Sequence, residues 1–483
     1  MRQPPLDILP APGLLIGDRR VTDSSGTEYE HIYAATGKPT VNVTLGGTSE
    51  IDLAVAAARD ALPGWRRMSA SARRNLLLKF ADTLISKADE LTGLQTLENS
   101  MPRQIAARSP KLAADYFAYN AGWTDKLGGA VIPVDNGFDY ALEEPYGVVA
   151  VIPTWNGPLG MLGMVCAPAL AAGNTLVIKP PEVTPFTALR FGELALEAGF
   201  PPGVINIVPA GPDAGAALVG HAGVDKIHFT GSGATARRVL AGAAENLTPV
   251  ALELGGKSAL IVFGDADIEA TVRQMMTTLA VLSGQVCIAG TRVLVEAAVY
   301  DQVVELATEM IPHIAVGDPL SDTTLMGPVI SSAACDRILG IVERAKVSGA
   351  RLMVGGERKG GELADGFFVE PTLFADVDNS SELAQHEVFG PVLAVQRFES
   401  EEHAIRLAND TSYGLAGYIN TNDVRRAHRV AAALNTGNVW INGTQGIPIT
   451  GPFGGSKDSG YGRLGGIYGI REFMQPKNVW LAL

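Results

Sequence analysis

The sequence is poor in cysteine, and it contains neither a run of basic residues nor a long apolar stretch. Only three cysteines occur in 483 residues, too few and too scattered for a disulfide framework or for a zinc site, whose ligands are grouped at short spacings. We therefore expect no metal site. The net charge is −13, and without a Lys/Arg cluster the chain is not suited to bind nucleic acid. No apolar stretch reaches the roughly 18 residues of a membrane span.

The chain has the composition of an ordinary folded enzyme. Hydrophobic residues make up 47% and charged residues 18% of it, far from disordered or fibrous proteins. Its length exceeds what one hydrophobic core usually fills, so we expect two or more packed units. The first ten residues, MRQPPLDILP, lack the basic flank and apolar core of a secretion signal, which predicts a cytoplasmic protein.

The hydrophobic pattern predicts two α/β units. From Tyr146 onward, short β-branched runs alternate with amphipathic helical segments, and this pattern is typical of a parallel, doubly wound sheet. These runs are GVVAVIP, NTLVIKP, GVINIVPA, KIHFTGS, ALELGG and SALIVFG. After residue 287 the alternation resumes, with helices predicted over 301–314, 333–346 and 402–409. Helical spacing over 50–98, interrupted at Pro63-Gly64, predicts two further helices.

Residues 128–144 predict a β-ribbon outside these units. The segment alternates around Asn136-Gly137, a strong short-range hairpin signal. Because a two-stranded ribbon is marginally stable alone, we expect it to dock on a neighbouring subunit together with a C-terminal strand near Val479. The ribbon therefore predicts a homodimer or a homotetramer.

Three residues in distinctive surroundings are candidates for catalysis. Cys287 lies in GQVCIAG, Glu253 follows an apolar strand in ELGGKS, and Asn156 lies in PTWNGP. Taken singly, each has an ordinary structural explanation, as a buried thiol, a turn glutamate and a turn asparagine.

Taken together, and in this order, the three segments resemble the aldehyde dehydrogenase superfamily. The resemblance extends over nearly the whole chain through the segments IKPPE (178–182), GFPPGVIN (199–206), FTGS (229–232), EVFGP (387–391) and PFGG (452–455) with Ser459-Gly460. It implies an α/β fold with a Rossmann-like cofactor domain, a second α/β catalytic domain and a small β oligomerisation ribbon. The expected boundaries are 1–126 and 146–252 for the cofactor domain, 253–455 for the catalytic domain, and 127–145 and 465–483 for oligomerisation.

The resemblance implies covalent catalysis. The Cys287 thiolate would attack the aldehyde carbon, and because a free thiol has a pKa of about 8.5 it needs a base or a favourable field. The Asn156 side-chain NH₂ and the backbone N–H of Cys287 would hold the resulting oxyanion. Glu253 would act as general base when water hydrolyses the thioester. A carboxylate at this position is typical of the hydrolytic enzymes and not of the CoA-acylating branch.

The resemblance also implies a nicotinamide dinucleotide. Lys179 and Glu182 match positions that meet the adenosine ribose, Gly231 and Ser232 begin the turn near the pyrophosphate, and Glu387 matches the ligand of the nicotinamide ribose. A carboxylate at Glu182 would repel a 2′-phosphate, so NAD is favoured over NADP, with dual use left open. The remaining expected cofactor contacts are Ile152, Trp155, Leu254 and Phe389.

The substrate tunnel implied by the resemblance carries no charged side chain. Glycine, methionines and β-branched residues there predict a wide apolar tunnel for a bulky or long hydrophobic aldehyde, although the same side chains could simply complete the core. The expected tunnel residues are Gly157, Met161, Met164, Val286, Ile288, Ile447 and Phe453.

The sequence departs from the family pattern at several positions. Gly231 is followed five residues later by Ala236 instead of a second glycine, and Val165 stands where a lysine is usual. Gln475 aligns with a glutamate that is proposed, in many relatives, to pass protons to the base. A glutamine cannot act in this way, which argues against a proton relay through this position. Two alternative functions stay open: a CoA-acylating semialdehyde dehydrogenase, and a catalytically silent relative with a binding or structural role.

Overall fold

The computed structural model describes residues 1–443 and 446–482. Its strands are β1 (Leu14–Ile16), β2 (Arg19–Val21), β3 (Glu28–Tyr33), β4 (Lys38–Thr44), β5 (Ala130–Ile132), β6 (Phe138–Pro145), β7 (Val148–Ile152), β8 (Thr175–Ile178), β9 (Ile205–Ile207), β10 (Lys226–Thr230), β11 (Val250–Glu253), β12 (Ala259–Val262), β13 (Arg292–Glu296), β14 (Arg351–Val354), β15 (Thr372–Ala375), β16 (Val392–Phe398), β17 (Ala416–Asn420), β18 (Asn438–Ile441), β19 (Gly460–Tyr461) and β20 (Met474–Leu481).

The helices lie between these strands and at the N-terminal side. They are α1 (Thr48–Arg67), α2 (Ala70–Ser86), α3 (Ala88–Asn99), α4 (Arg103–Ala106), α5 (Ser109–Ala121), α6 (Pro158–Ala172), α7 (Phe186–Ala198), α8 (Pro212–Val219), α9 (Gly233–Ala244), α10 (Ile268–Ala280), α11 (Tyr300–Met310), α12 (Ser332–Val347), α13 (Glu382–Gln385), α14 (Glu401–Asn409), α15 (Val424–Ala433) and α16 (Gly466–Arg471). None of the described helices is long and apolar enough to cross a membrane.

The first sheet has the strand order β19-β11-β10-β7-β8-β9-β1-β2. Its five central strands, from β11 to β9, run parallel. These strands are buried on both faces, as their apolar and β-branched sequences require. Helices α2, α5, α6 and α7 cover one face, and α1, α8 and α9 cover the other. The sequence prediction of a doubly wound sheet is therefore confirmed.

The second sheet has the order β14-β15-β16-β13-β12-β17-β18 and is parallel except for its edge strand β14. The run SALIVFG, which continued the alternation of the first unit, forms β12 and belongs to this second sheet. Apolar residues of α10 and α11 pack on one face and those of α14 and α15 on the other. The predicted α/β fold class is confirmed, while the boundaries at 126, 146 and 253 stay a proposal.

The predicted ribbon is a three-stranded sheet in which β6 pairs with β5 and with β20. Residues 133–137, including Asn136-Gly137, connect β5 to β6, so the loop is longer than a two-residue turn. Val131 and Trp480 expose 70% and 54% of their surface. The ribbon therefore presents apolar side chains to solvent. We propose that this face is the oligomerisation segment.

The prediction of two helices over 50–98 was wrong. α1 runs through Pro63 to Arg67, and α2 and α3 follow it. The missed signal is Ser69, whose side-chain oxygen accepts a hydrogen bond from the backbone N–H of Ala72 at 3.2 Å and caps α2. Pro63 lies inside α1, and because it has no N–H it leaves one hydrogen bond of the helix unmade without ending it.

The architecture gathers strand ends at one edge of the first sheet. β7, β10 and β11 are neighbours and parallel, so their carboxyl ends, Ile152, Thr230 and Glu253, lie side by side. In open α/β sheets ligands bind outside the carboxyl ends of the strands. The chain leaves this edge after Glu253 and enters the second sheet at β12, which places the edge between the two sheets.

Candidate active site

Glu253 is the last residue of β11 and is buried, with 5% of its surface exposed. Its backbone carbonyl accepts from the N–H of Gly231 at 3.1 Å. One carboxylate oxygen, Oε2, is buried without a hydrogen-bond partner among the described residues. Burial raises the pKa of Glu253 well above its usual value; the Arg463 guanidinium opposes this increase and the Glu472 carboxylate adds to it. Such a carboxylate is a strong base once it is ionised.

Cys287 lies in the loop between α10 and β13 and is partly exposed, whereas Cys166 and Cys335 are buried. Leu282, Ser283 and Gly284 precede it with φ of 51°, 55° and 71°. Three successive left-handed residues, two of them not glycine, form a strained turn of the kind found at functional sites. The Ser283 hydroxyl stabilises this turn by donating to the carbonyl of Gly327 at 2.7 Å.

The thiol lies among carboxylates. Burial, together with the charges of Glu387 and Glu253, raises the pKa of the Cys287 thiol to about 12, while the backbone N–H groups of Ile288 and Cys287 lower it. Cys287 is therefore a neutral thiol at pH 7 in this state. It requires a base to become a nucleophile.

Gly255 and Gly256 let these groups approach each other. A side chain at Gly255 would collide with the Glu387 carboxylate, and a Cβ at Gly256 would lie 2.7 Å from the Cys287 carbonyl oxygen. The Gly256 N–H donates to Glu387 Oε1 at 3.1 Å. The segment after Glu253 thus contacts both Glu387 and the Cys287 loop through its backbone.

Asn156 follows β7 and reaches the same loop. Its side-chain NH₂ donates to the carbonyl of Gln285 at 2.8 Å. The Gln285 side chain accepts from the N–H of Ile330 at 3.0 Å and donates to the carbonyl of Leu282 at 2.8 Å. Asn156 is thus held by the Cys287 loop at Gln285, two residues before the thiol. Its second amide N–H has no hydrogen-bond partner among the described residues and could donate to a ligand.

The chain matches the Aldehyde dehydrogenase family over residues 21–479. This match covers most of the sequence, as the resemblance predicted. The chain belongs to the aldehyde dehydrogenase family. It is 39% identical over 475 residues to a protein of Cereibacter sphaeroides named betaine aldehyde dehydrogenase, covering 98% of both chains. It is 41% identical to a protein of Enchytraeus buchholzi named aldehyde dehydrogenase, covering 97% of this chain and 95% of the relative.

Solved structures in complex with NAD share the fold. A betaine aldehyde dehydrogenase of Staphylococcus aureus in complex with NAD+ superimposes with a TM-score of 0.96 at 36% identity, covering 99% of this chain and 96% of that one. A protein named PnpE in complex with nicotinamide adenine dinucleotide has a TM-score of 0.95 at 40% identity, covering 98% and 97%. In both cases the superposition covers nearly the whole of this chain and of the solved structure.

Residues expected to bind the aldehyde dehydrogenase cofactor lie at the edge of the first sheet. Ser232 caps α9, its hydroxyl oxygen accepting from the N–H of Thr235 at 3.3 Å. This helix N-terminus, preceded by Gly231, suits a pyrophosphate. Lys179 follows β8; burial lowers the pKa of its ammonium and the nearby Glu182 carboxylate opposes this. An ammonium beside a carboxylate suits ribose hydroxyls.

The nicotinamide end of the expected cofactor site is also assembled. Glu387 is held by Gly256, and burial raises the pKa of its carboxyl to about 7. The ring of Phe389 packs edge-on against Trp155 at 5.4 Å. Ile152 and Leu254 are buried at the ends of β7 and β11. These residues fit a dinucleotide, and Ala236, whose methyl group is buried in the core of the first sheet, leaves α9 regular.

Most expected tunnel residues adjoin one apolar cluster. Met164 and Phe453 are buried in it, and the partly exposed Met161, Ile288 and Ile447 pack against it, as Cys287 does. Val286 is partly exposed beside them, and a Cβ on Gly157 would meet no atom within 4 Å. The thiol therefore borders an apolar region with open space at Gly157. Met164 and Phe453 also complete the core, as the alternative held.

Sequence reasoning missed several residues that shape this site. Tyr418 donates to the carbonyl of Ile288 at 2.8 Å, and the Ser459 hydroxyl donates to the carbonyl of Gly255 at 2.7 Å. Arg463 and Glu472 supply the charges that Glu253 experiences. The SG motif at Ser459-Gly460 was the one available signal. Gln475, in contrast, lies exposed on β20 opposite Glu144, so its side chain belongs to the ribbon and not to the site.

The close approach at Gly256 gives a test of the assembled site. Gly256→Ala would push the Cys287 carbonyl away, and a misplacement of about 1 Å at a reacting group costs on the order of 10²-fold in rate. We expect kcat/KM for an aldehyde with NAD to fall by about that factor. The control is Gly64→Ala in α1, where a Cβ meets no atom within 4 Å. Equal kcat/KM in the two variants would contradict this arrangement.

Proposed function

We propose that this chain oxidises aldehydes to carboxylic acids by forming and hydrolysing a thioester on Cys287. The coarser statement, an NAD-dependent oxidoreductase of aldehydes, follows from family membership and from NAD-bound neighbours. The single observation that supports the finer statement is that the Glu253 carboxylate lies close enough to the Cys287 thiol for its charge to raise the thiol pKa, while its Oε2 has no hydrogen-bond partner among the described residues. The charge of Glu253 acts on the thiol directly.

The reaction begins with deprotonation of Cys287. Because its pKa is raised, the thiol needs a base at the moment of attack, and Glu253 supplies it directly or through water. The sulfur then bonds to the aldehyde carbon and the carbonyl oxygen becomes an oxyanion. The free amide hydrogen of Asn156 and the backbone N–H of Cys287 stabilise that charge.

NAD would supply the two-electron oxidation, because loss of a hydride from the carbon bonded to the Cys287 sulfur leaves a thioester. Lys179 and Glu182 would hold its adenosine ribose, the α9 N-terminus its pyrophosphate, and Glu387 its nicotinamide ribose. Ile152, Trp155, Leu254 and Phe389 would provide the apolar contacts. The carboxylate of Glu182 favours NAD over NADP by repelling a 2′-phosphate.

Hydrolysis completes the cycle. After the proton taken from the thiol has passed to solvent, Glu253 removes a proton from water, the oxygen bonds to the acyl carbon, and the Cys287 sulfur leaves as thiolate. A base placed next to the thioester supports hydrolysis and argues against transfer to coenzyme A. The same intact residues argue against a catalytically silent protein.

Turnover with simple aldehydes tests this mechanism. We expect NADH formation that coenzyme A does not accelerate, loss of activity in Cys287→Ala, and a fall in kcat of about 10²–10³-fold in Asn156→Asp, which removes an oxyanion donor. Cys335→Ala, a cysteine buried in α12 within a different hydrophobic cluster from the one that Cys287 packs against, is the matched control and should keep its activity. Full activity of Cys287→Ala would refute the covalent mechanism.

For the substrate, we infer an aldehyde with an apolar substituent. The apolar cluster beside Cys287 and the open space at Gly157 support a bulky or long chain. The names of several relatives point instead to betaine aldehyde, a small cationic substrate. Quaternary ammonium groups are recognised by aromatic cages, and the expected tunnel residues include a single aromatic side chain, Phe453. The tunnel chemistry therefore favours the apolar aldehyde.

A panel of aliphatic, aromatic, terpenoid and betaine aldehydes distinguishes the two candidates. We expect kcat/KM to rise with the apolar surface of the substrate and to be low for betaine aldehyde. Gly157→Phe should lower kcat/KM for the large aldehydes by at least about 10–200-fold, the range for a change of one methylene in a hydrophobic pocket. Acetaldehyde in the same variant is the control. Highest kcat/KM with betaine aldehyde would contradict the apolar assignment.

A further inference from the structure

The reaction proposed above must export protons from a buried place. Oxidation of an aldehyde by water gives a carboxylate, a hydride and two protons, and both protons originate from the water. Glu253 receives the first of them at a position where only 5% of its surface is exposed. The acyl group fills the side from which substrate enters. A route through the protein would let Glu253 return to its ionised state.

Polar side chains form a file along β10 that begins beside Glu253. Lys226, His228 and Thr230 alternate along this strand, so all three point to the face covered by α6. Thr230 is the register partner of Glu253 on the neighbouring strand, and His228 is that of Ala251. Apolar side chains of α6 and of the neighbouring strands fill much of the rest of this face.

His228 links the members of this file. It is 1% exposed, and its Nε2 lies 3.3 Å from the Thr230 hydroxyl. Its Nδ1 is buried with no hydrogen-bond partner among residues 1–443 and 446–482. Burial, assisted by the charge of Lys226, lowers the pKa of His228 to about 3. The ring is therefore neutral, and a neutral imidazole can accept a proton on one nitrogen while it donates from the other.

The far end of the file reaches the surface. The Lys226 ammonium forms an ion pair with Glu472 at 2.7 Å, and the other Glu472 oxygen accepts from the Arg463 N–H at 3.0 Å. A Cβ on Gly462 would lie within 3.2 Å of both Glu472 and Ala251, so Glu472 lies next to the register partner of His228. Glu472 also lines an open depression of about 330 Å³ together with Tyr146, Gly462, Arg463, Tyr468 and Arg471.

We propose that Thr230, His228 and the Lys226–Glu472 pair carry protons from Glu253 to this depression. The Thr230 hydroxyl passes a proton to His228 Nε2, and Nδ1 releases one toward Glu472. His228 and Lys226 are two residues apart, about 6.6 Å along the strand, and the proposed transfer from Nδ1 to the Lys226–Glu472 pair requires a water molecule between them. These are positioning and relay residues; none of them touches the substrate carbon.

The charged groups around His228 agree with this direction. Lys226 on the same strand is the charged group that acts on His228, whereas Arg463 and Glu472 of the C-terminal segment act on Glu253 of the neighbouring strand β11. Helix α6, which covers the face, carries no charged residue and has only Cys166 as a titratable group. The file is thus a polar path enclosed by apolar side chains, with a carboxylate at each end.

Three substitutions test the relay in the full-length enzyme. We expect His228→Ala and Glu472→Gln each to lower kcat about tenfold at low buffer concentration, because proton removal from Glu253 becomes limiting. Added imidazole should restore kcat in His228→Ala, and the solvent deuterium isotope effect on kcat should rise. Thr230→Val keeps the shape of the side chain but removes the hydroxyl, and it should also lower kcat about tenfold. Thr175→Val, a buried threonine on β8 outside the file, is the control.

The proposed relay rests on the proposed function, but different experimental results would contradict each of them. A burst of NADH in the first turnover should persist in His228→Ala, because hydride transfer precedes hydrolysis. If neither the wild-type protein nor the variant forms NADH from any aldehyde in the first turnover, the proposed function is wrong. If the burst is intact and kcat is unchanged, or if kcat falls without rescue by imidazole and without a larger isotope effect, the relay is wrong.

Discussion

The close approach of three backbone segments around Gly255 and Gly256 is the constraint on which the site depends. The chain passes there from the first sheet into the second, beneath Glu387 on one side and the Cys287 loop on the other. Ser459 fixes the same turn by donating to the Gly255 carbonyl while its own carbonyl accepts from Leu254. The catalytic groups lie on different elements, and this turn is the segment that they have in common as a neighbour. A small shift of the turn therefore changes the distances between Glu253, Glu387 and Cys287.

Burial gives the carboxylates and the thiol at this turn their chemistry. It raises the pKa of Glu253, Glu387 and Cys287, because each charged form loses the solvation of water and the like charges repel one another. The neutral thiol is thereby unreactive until a base acts on it. The same burial makes Glu253 a strong base when ionised, and it isolates the proton that this residue accepts. The basicity of Glu253 and its need for a route by which to release the accepted proton therefore have the same cause, its burial.

Sequence reasoning predicted the features that follow from local pattern. The buried parallel strands were visible because their runs are continuously apolar, and the hairpin was visible through Asn136-Gly137. Cys287, Glu253 and Asn156 were identifiable through the residues around them. Ser69 as a helix cap was overlooked, and the assignment of β12 to the second sheet depends on long-range pairing. Arg463 and Glu472 are more than 200 positions from Glu253, so only the fold brings their charges near it. Gln475 lies on the ribbon, away from the site, because its strand pairs with β6, and this long-range pairing is likewise not visible in the local sequence.

The thioester on Cys287 is the central claim, and mass spectrometry of the wild-type protein quenched during its first turnover tests it most directly. The protein should be mixed with one equivalent of NAD and an aldehyde, quenched in acid before hydrolysis is complete, and digested. The account predicts a mass increase equal to the acyl group minus one hydrogen, located on the peptide that contains Cys287, with about one NADH formed per site. NADH formation with no acyl group on Cys287, or with the acyl group on another residue, would contradict it.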